Sequence, residues 1–333
     1  MLIAMETPTL IDRFGRKHTY LRISVTDRCN LRCIYCMPHG GIAWREREEL
    51  LTLEEIVRVA ACLVRFGISK VRLTGGEPTV RSGLEWLIAK LAELPGLRTI
   101  GMTTNGLTLR NKARQLKDNG LTALNVSLDS LRPDRFSQLT GQQRLNDVLS
   151  GIDAALAAGF VPLKLNVVVM AGVNDDEILD FIAFVMDKPI NVRFIEFMPS
   201  LKNGWSRERV VPFYVLKKRI EQSLELLPLP KQNHSTAKDF RIRGYMGTIS
   251  FITSMSAEFC DGCNRLRLAA DGSLKTCLFR RPELNLRPLL RSDSSDEAIA
   301  AAVRQVLGSK WERHPGMESL ASCDTQTMSQ VGG

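Results

Sequence analysis

The stretch Tyr20-Leu-Arg-Ile-Ser-Val-Thr-Asp-Arg-Cys29-Asn-Leu-Arg-Cys33-Ile-Tyr35-Cys36 decides how the rest of the chain is read. Its opening apolar run predicts a strand over Tyr20–Thr26. Three cysteines follow as Cys-x3-Cys-x2-Cys. A four-iron cubane is usually held by four thiolates, so three leave one iron open to a small molecule. Structural zinc takes closely spaced pairs and a complete set of four ligands. No local His or fourth Cys supplies that set. A redox Cys-x-x-Cys would need only two thiols.

Outward from this stretch, short apolar runs alternate with helical patterns. Further strands are predicted at Lys70–Thr74, Thr99–Thr104, Ala123–Leu128, Pro162–Met170 and Asn191–Phe197. Helices are predicted at Leu53–Phe66, Leu84–Leu94, Leu109–Asn119, Asn146–Ala158, Asp175–Met186 and Tyr214–Leu224. Thr52 with Glu55 fits a capping box, and Gly67, Gly120 and Gly159 fall where helices stop. This alternation implies a parallel α/β sheet with right-handed crossovers. Six units fall short of a closed eight, which predicts a partial (β/α)6 barrel. The C-terminal α+β region is expected to close it at one side. The expected divisions are an extension over 1–19, the barrel over 20–228, a C-terminal region over 229–313 and a mobile tail over 314–333.

Active residues of parallel barrels gather at the C-terminal ends of strands. Cys29–Cys36, Gly75-Gly76-Glu77-Pro78, Thr103-Thr104-Asn105-Gly106, Ser127-Leu128-Asp129 and Glu196-Phe197-Met198-Pro199 all fall at such ends. Their shared placement weighs more than any single motif.

The bulk properties agree with a globular enzyme. The chain has 333 residues, 44% apolar content and a net charge of +9. No run of 18 apolar residues predicts a membrane span, and residues 1–16 lack the layout of a signal peptide. The eight cysteines are therefore expected in a reducing, cytoplasmic setting. The positive charge is scattered, with no arginine-rich arm, which argues against nucleic acid and leaves either a generally basic surface or a site for a polyanion such as a nucleotide.

A second group, Cys260-x2-Cys263-x13-Cys277, has two readings. One is a zinc ribbon, which would need a distant fourth ligand such as His234 or Cys323. The other is a second cubane with an open iron. If Arg265-Leu266-Arg267-Leu268 is a strand, Arg265 and Arg267 share one face. Two guanidiniums there suit a phosphorylated ligand, which favours the second reading.

Cys29-x3-Cys33-x-Tyr35-Cys36 resembles the signature of radical S-adenosylmethionine enzymes. The whole chain from about Arg13 is similar to the GTP 3′,8-cyclases of molybdenum cofactor biosynthesis. That resemblance also rests on Lys70-Val-Arg72-Leu-Thr-Gly75-Gly76-Glu77-Pro78, Asn125-Val-Ser127-Leu-Asp129, Arg193-Phe-Ile-Glu196-Phe-Met198-Pro199, the second cysteine group and the terminal Gly332-Gly333. It implies two [4Fe-4S] clusters, one on Cys29, Cys33 and Cys36 and one on Cys260, Cys263 and Cys277. It implies that S-adenosyl-L-methionine sits by Tyr35, Gly76, Glu77, Ser127 and Met198. It lines a GTP site with Arg22, Arg72, Thr103, Lys164, Arg265, Leu266 and Arg267, and adds Lys70 and Arg193 as charged cavity positions. Gly332 and Gly333 are implied to reach the active site. The implied reaction makes 3′,8-cyclo-7,8-dihydro-GTP through a 5′-deoxyadenosyl radical. An external electron donor and a downstream cyclic pyranopterin monophosphate synthase are the implied partners, for a monomer or homodimer. A radical peptide-modifying enzyme, an RNA-modifying enzyme and a non-enzymatic metal module are the rivals. Cys62 is expected to be a core residue.

Overall fold

The computed structural model describes residues 9–37, 44–201, 203–231, 233–257, 259–292, 294–321 and 326–331. Six strands form the centre: β1 (Tyr20–Ser24), β2 (Lys70–Thr74), β3 (Thr99–Thr104), β4 (Ala123–Ser127), β5 (Leu163–Val169) and β6 (Ile190–Glu196). They pair in parallel and in chain order. The helices between and after them are α1 (Leu53–Arg65), α2 (Leu84–Ala92), α3 (Leu109–Asp118), α4 (Pro133–Thr140), α5 (Leu145–Ala157), α6 (Ile178–Phe184) and α7 (Phe213–Glu221). The expected strands and helices are all present, with ends shifted by up to three residues. The capping box of α1 is formed: Glu55 N–H donates to Thr52 Oγ1 at 3.1 Å and Thr52 N–H to Glu55 Oε2 at 2.7 Å.

The C-terminal region departs from the expectation. Strands β7 (Leu226–Pro228), β8 (Ala237–Ile242) and β9 (Thr248–Ile252) extend the edge beyond β6, with β9 parallel to it. Strands β10 (Arg265–Leu268), β11 (Ser273–Lys275) and β12 (Leu284–Asn285) extend the opposite edge, with β10 parallel to β1. The result is one mixed 12-stranded sheet, ordered β12-β11-β10-β1-β2-β3-β4-β5-β6-β9-β8-β7. This is consistent with a partial barrel. The region after residue 228 therefore flanks both edges of the sheet, not one side. Helices α8 (Arg287–Arg291), α9 (Asp296–Gly308), α10 (Met317–Ala321) and α11 (Met328–Val331) complete the described chain. Leu320 and Thr327 are buried, so part of the expected mobile tail is packed.

Strand alternation gives the sheet two faces of opposite character. One face carries Leu21, Ile23, Val71, Leu73, Ile100, Met102, Leu124, Val126, Leu163, Leu165, Val192 and Phe194, all buried in the main core. The helices supply the other half of this core through residues such as Ile56, Leu87, Ile152 and Phe181, and Cys62 lies among them. Burying an apolar side chain stabilises by about 1.5–3 kcal/mol, so this face fixes the register. The residues between these on each strand are thereby committed to the other face.

Candidate active site

That other face is polar, and its register brings cations side by side. Arg267, Arg22 and Arg72 are direct partners across β10, β1 and β2, and Lys275 on β11 continues the row. One row away, Arg265, Tyr20 and Lys70 are partners on the same three strands. Further along, Asn125, Lys164 and Asn191 pair across β4, β5 and β6, beside Asn166 with Arg193. Sequence places these cations within strands, but Arg265 and Arg267 join the rows only because β10 pairs with β1, more than 200 residues away.

Arg72 is the best held of them. Its Nη1 donates to Met102 O at 2.9 Å and Asn125 Oδ1 at 3.0 Å, and its Nε to Tyr20 Oη at 2.9 Å. Thr103 Oγ1 lies 3.4 Å from Nη1. The guanidinium occupies space that any Cβ at residue 101 would fill: one built on Gly101 would lie 2.7 Å from Arg72 Nη2. Gly101 is thus a site residue that sequence reading missed, as is Tyr20. The Lys70 ammonium stands 4.7 Å from the Tyr20 ring centroid. Burial would raise the Tyr20 phenol, but Arg72, Arg22 and Lys70 outweigh it and bring it to about 6.

Among the described residues, Lys70, Arg72, Lys164, Arg193, Arg265 and Arg267 make no ion pair with a carboxylate. Their mutual repulsion adds to burial. Lys164 falls to about 8 through burial and then Arg193, and Arg267 to about 9 through burial and then Arg22. Arg193 falls to about 10 through burial and then Arg72. Arg267 Nη1 is buried with no hydrogen-bond partner. A buried guanidinium needs an anion or an acceptor, so this polar face has the chemistry to take up an anion.

The first cysteine trio sits on the loop after β1. Leu31 N–H donates to Cys29 Sγ at 3.4 Å, and Cys36 N–H and Met37 N–H both bond Cys33 O. The loop leans on α4, where Arg32 N–H bonds Thr140 O and Ile34 N–H bonds Leu139 O. Gly75 and Gly76 let the loop pass: a Cβ on Gly76 would lie 2.2 Å from Arg28 O, and one on Gly75 2.5 Å from Thr26 O. These glycines are explained by close approach of the cysteine loop itself. Glu77 faces inward, accepting from Thr79 N and Oγ1, Thr104 Oγ1 and Asn105 N. Tyr35 Oη donates to Asp129 Oδ2 at 2.5 Å, which fixes the ring beside the cysteines. Glu196 accepts from the backbone of Phe213, Met255 and Ser256, anchoring the end of β6 before Met198. Ser127 ends β4, one residue from the buried Leu128.

The second trio lies at the start of β10, the parallel neighbour of β1, whereas the first follows β1. Cys260 and Cys263 precede β10, and Cys277 follows β11. Leu266 points into the core at 0% exposure, so a part in substrate binding falls to its backbone. Two buried lysines stand here that sequence reading missed. Lys275 Nζ donates to Leu278 O, and Lys310 Nζ donates to Thr276 O, Arg265 O and Cys263 Sγ. Neither gives a local signal, because a single lysine in a polar stretch resembles a solvated one.

Within the second trio Cys277 is raised by burial, as Cys29 and Cys33 of the first trio are, and Cys263 is drawn the other way. Burial pushes Cys29 up to about 11, and burial with the charges of Cys36 and Asp129 pushes Cys33 well above its usual range. Burial would also raise Cys263, but Arg265 and Lys310 outweigh it and bring it to about 6. Among the described residues, no three His, Cys, Asp or Glu side chains are placed to hold a single metal ion. Thiolates on one tetrahedral zinc stand about 3.8 Å apart, from a Zn–S distance near 2.3 Å. A cubane spreads its thiolates over separate irons, and three free thiols at each site supply such a donor set. Cys323, Gly332 and Gly333 lie outside the described residues.

Comparison with known proteins gives the family. Residues 23–185 match the radical SAM superfamily, and residues 190–315 match Molybdenum Cofactor Synthesis C. A structure of Streptococcus suis SuiB bound to S-adenosylmethionine superposes with a TM-score of 0.62 at 14% identity, over 86% of this chain and 69% of that one. That likeness concerns the fold, and the chain is a radical SAM protein. The "GTP 3',8-cyclase, mitochondrial" of Arabidopsis thaliana is 47% identical over 97% of this chain and 83% of its own length. The "GTP 3',8-cyclase" of Geobacter sulfurreducens is 46% identical over 97% of this chain and 99% of its own. The chain spans about half the length of the bovine "Molybdenum cofactor biosynthesis protein 1", to which it is 45% identical. It belongs to the GTP 3′,8-cyclase family of molybdenum cofactor biosynthesis.

Proposed function

We propose that this protein cyclises GTP to 3′,8-cyclo-7,8-dihydro-GTP, with the cation rows of the polar sheet face as the nucleotide site. The observation that carries this reading is the set of buried and half-buried cations on that face that, among the described residues, have no carboxylate partner. Cys29, Cys33 and Cys36 would hold one [4Fe-4S] cluster, and Cys260, Cys263 and Cys277 a second. When bound, the first cluster and S-adenosyl-L-methionine supply one-electron chemistry able to remove hydrogen from a ribose carbon.

The chain's own residues do the rest. Lys70, Arg72, Lys164 and Arg193 neutralise the triphosphate, and Arg22, Arg265 and Arg267 hold the end of the nucleotide nearer the second trio. Arg72 is rigid through Met102 O, Asn125 and Tyr20, so it orients a phosphate without first losing rotamer freedom. Tyr35, fixed by Asp129, and Gly76, Glu77, Ser127 and Met198 would border S-adenosyl-L-methionine. Such fixed geometry is what a reaction with a reactive centre needs. For GTP the balance is simple. A C3′–H bond breaks, a C3′–C8 bond forms, and one electron and one proton return to the purine. The product is an isomer of GTP. The electron comes from an external donor, and a cyclic pyranopterin synthase is the reaction that consumes the product. Among the described residues, no helix is long and apolar enough to cross a membrane.

The test is anaerobic reconstitution, then incubation with GTP deuterated at C3′, S-adenosyl-L-methionine and reductant. Deuterium in the 5′-deoxyadenosine, with a purine product of distinct retention, is expected. Cleavage that is indifferent to GTP and leaves it unchanged would refute the assignment.

A further inference from the structure

Lys310 is 2% exposed, and among the described residues no carboxylate pairs with it. An ammonium has three donors, and all three are used: Thr276 O at 2.6 Å, Arg265 O at 3.1 Å and Cys263 Sγ at 3.5 Å. The first two acceptors lie on the chain segments that carry the ligands. Thr276 immediately precedes Cys277, and Arg265 is two residues after Cys263. One ammonium therefore sets the spacing between the ends of β10 and β11. Two carbonyls alone do not neutralise a buried cation, whereas thiolates beside it would.

The segment bearing Lys310 is itself pinned. Lys310 N–H bonds Leu307 O at the end of α9. Arg16 Nη1 donates to Cys260 O at 2.9 Å and Glu312 O at 2.7 Å, and Arg16 Nη2 to Trp311 O at 2.7 Å. Glu283 accepts from Thr276 N–H at 2.8 Å and from Ser309 Oγ at 3.0 Å. All three ligands of the second trio are thus tied to residues 309–312. Among the described residues, the charged side chains that act on Cys29 and Cys33 are Glu77, Asp129 and the neighbouring thiols.

We propose that Lys310 is a positioning residue for the second trio, holding Cys263 and Cys277 in ligand geometry and raising the reduction potential of the group they bind through its bond to the Cys263 sulfur. The proposal rests on the reading that Cys260, Cys263 and Cys277 hold an iron–sulfur cluster. Hydrogen bonds to cluster sulfurs stabilise the reduced, more negative state. A cation at that sulfur acts in the same direction.

The test uses the full chain with Cys29, Cys33 and Cys36 replaced by alanine, so that only the second site reports. With Lys310 in place, anaerobic reconstitution should give about four irons per chain. Zinc, or no metal, would overturn both the cluster reading and the proposal. With iron bound, an EPR-monitored redox titration reads the potential. Lys310→Met should shift it to a more negative value or lose the cluster's iron while the apoprotein's melting temperature holds. Lys310→Arg should restore iron and potential together. Unchanged iron and potential in Lys310→Met would overturn the proposal and leave the cluster reading intact. If Lys310→Met does not fold, Lys310→Gln against Lys310→Arg decides: a lower potential for Gln supports the role, and equal potentials refute it.

Discussion

The two cysteine trios use the same three-thiol design in opposite electrostatic surroundings. The first lies on one continuous loop of eight residues, supported by backbone hydrogen bonds to α4 and flanked by Glu77 and Asp129. The second is assembled from two strands and held by Arg16 and Lys310. Cys29 is pushed up to about 11, mainly by burial, and Cys263 is drawn down to about 6 against burial. Both carboxylates beside the first site are bonded by protein groups, Glu77 by Thr79, Thr104 and Asn105 and Asp129 by Tyr35 and Val168. The second adjoins the cation rows and suits a site that shares its surroundings with a phosphorylated substrate. The difference teaches that one motif class serves two roles through what surrounds it.

The comparison breaks most visibly if the first loop is displaced. Gly76→Ala should cost about 3 kcal/mol through overpacking, because the new Cβ would meet the Arg28 carbonyl. Iron should fall from about eight to about four per chain, with the second trio still loaded. Full iron content and unchanged melting would show that the glycine is not needed for the loop.

An acid response should mark the second site. His18 is 1% exposed, bonded to Asp12, which also holds Arg16. Burial, with Lys310 next, lowers its pKa from 6.5 to about 4. The unfolded chain then binds a proton that the folded chain refuses, so stability is intact above pH 6.5 and is lost progressively as pH falls from 6.5 to about 4. The contribution is about 3 kcal/mol. Urea midpoints from pH 7 to pH 4 should fall more steeply for wild type than for His18→Asn. Parallel curves would contradict this origin.

Much of this was legible beforehand and some was not. The six central strands and the α1 capping box follow from local periodicity and short-range side-chain chemistry. Helix α4 was missed although Pro133 opens it and Gly141 closes it in the left-handed region, at φ 72°, a signal that sequence does carry. The six ligand cysteines are visible as motifs. The alignment of Arg267, Arg22 and Arg72 is not, because register depends on pairing β10 with β1 across the chain. Gly101 and Lys310 are functional only through what reaches them in space, and their neighbours in sequence give no sign of it.

A smaller effect sharpens the contrast between substrate cations and structural ones. Arg265→Ala should weaken GTP binding by roughly 10- to 100-fold, about 1.4–2.7 kcal/mol, with little change in melting temperature. Its guanidinium lies 5.2 Å from the Phe259 ring centroid and makes no ion pair with a carboxylate among the described residues. A large loss of stability with unchanged GTP affinity would make it a fold residue.

The most direct measurement compares two triple variants, Cys29, Cys33 and Cys36 to alanine and Cys260, Cys263 and Cys277 to alanine. Each is reconstituted and assayed in parallel for S-adenosyl-L-methionine cleavage and for GTP cyclisation. The account predicts that the first variant loses both activities, and that the second still cleaves S-adenosyl-L-methionine at a measurable rate but forms no cyclised product. Normal cyclisation by the second variant would contradict it.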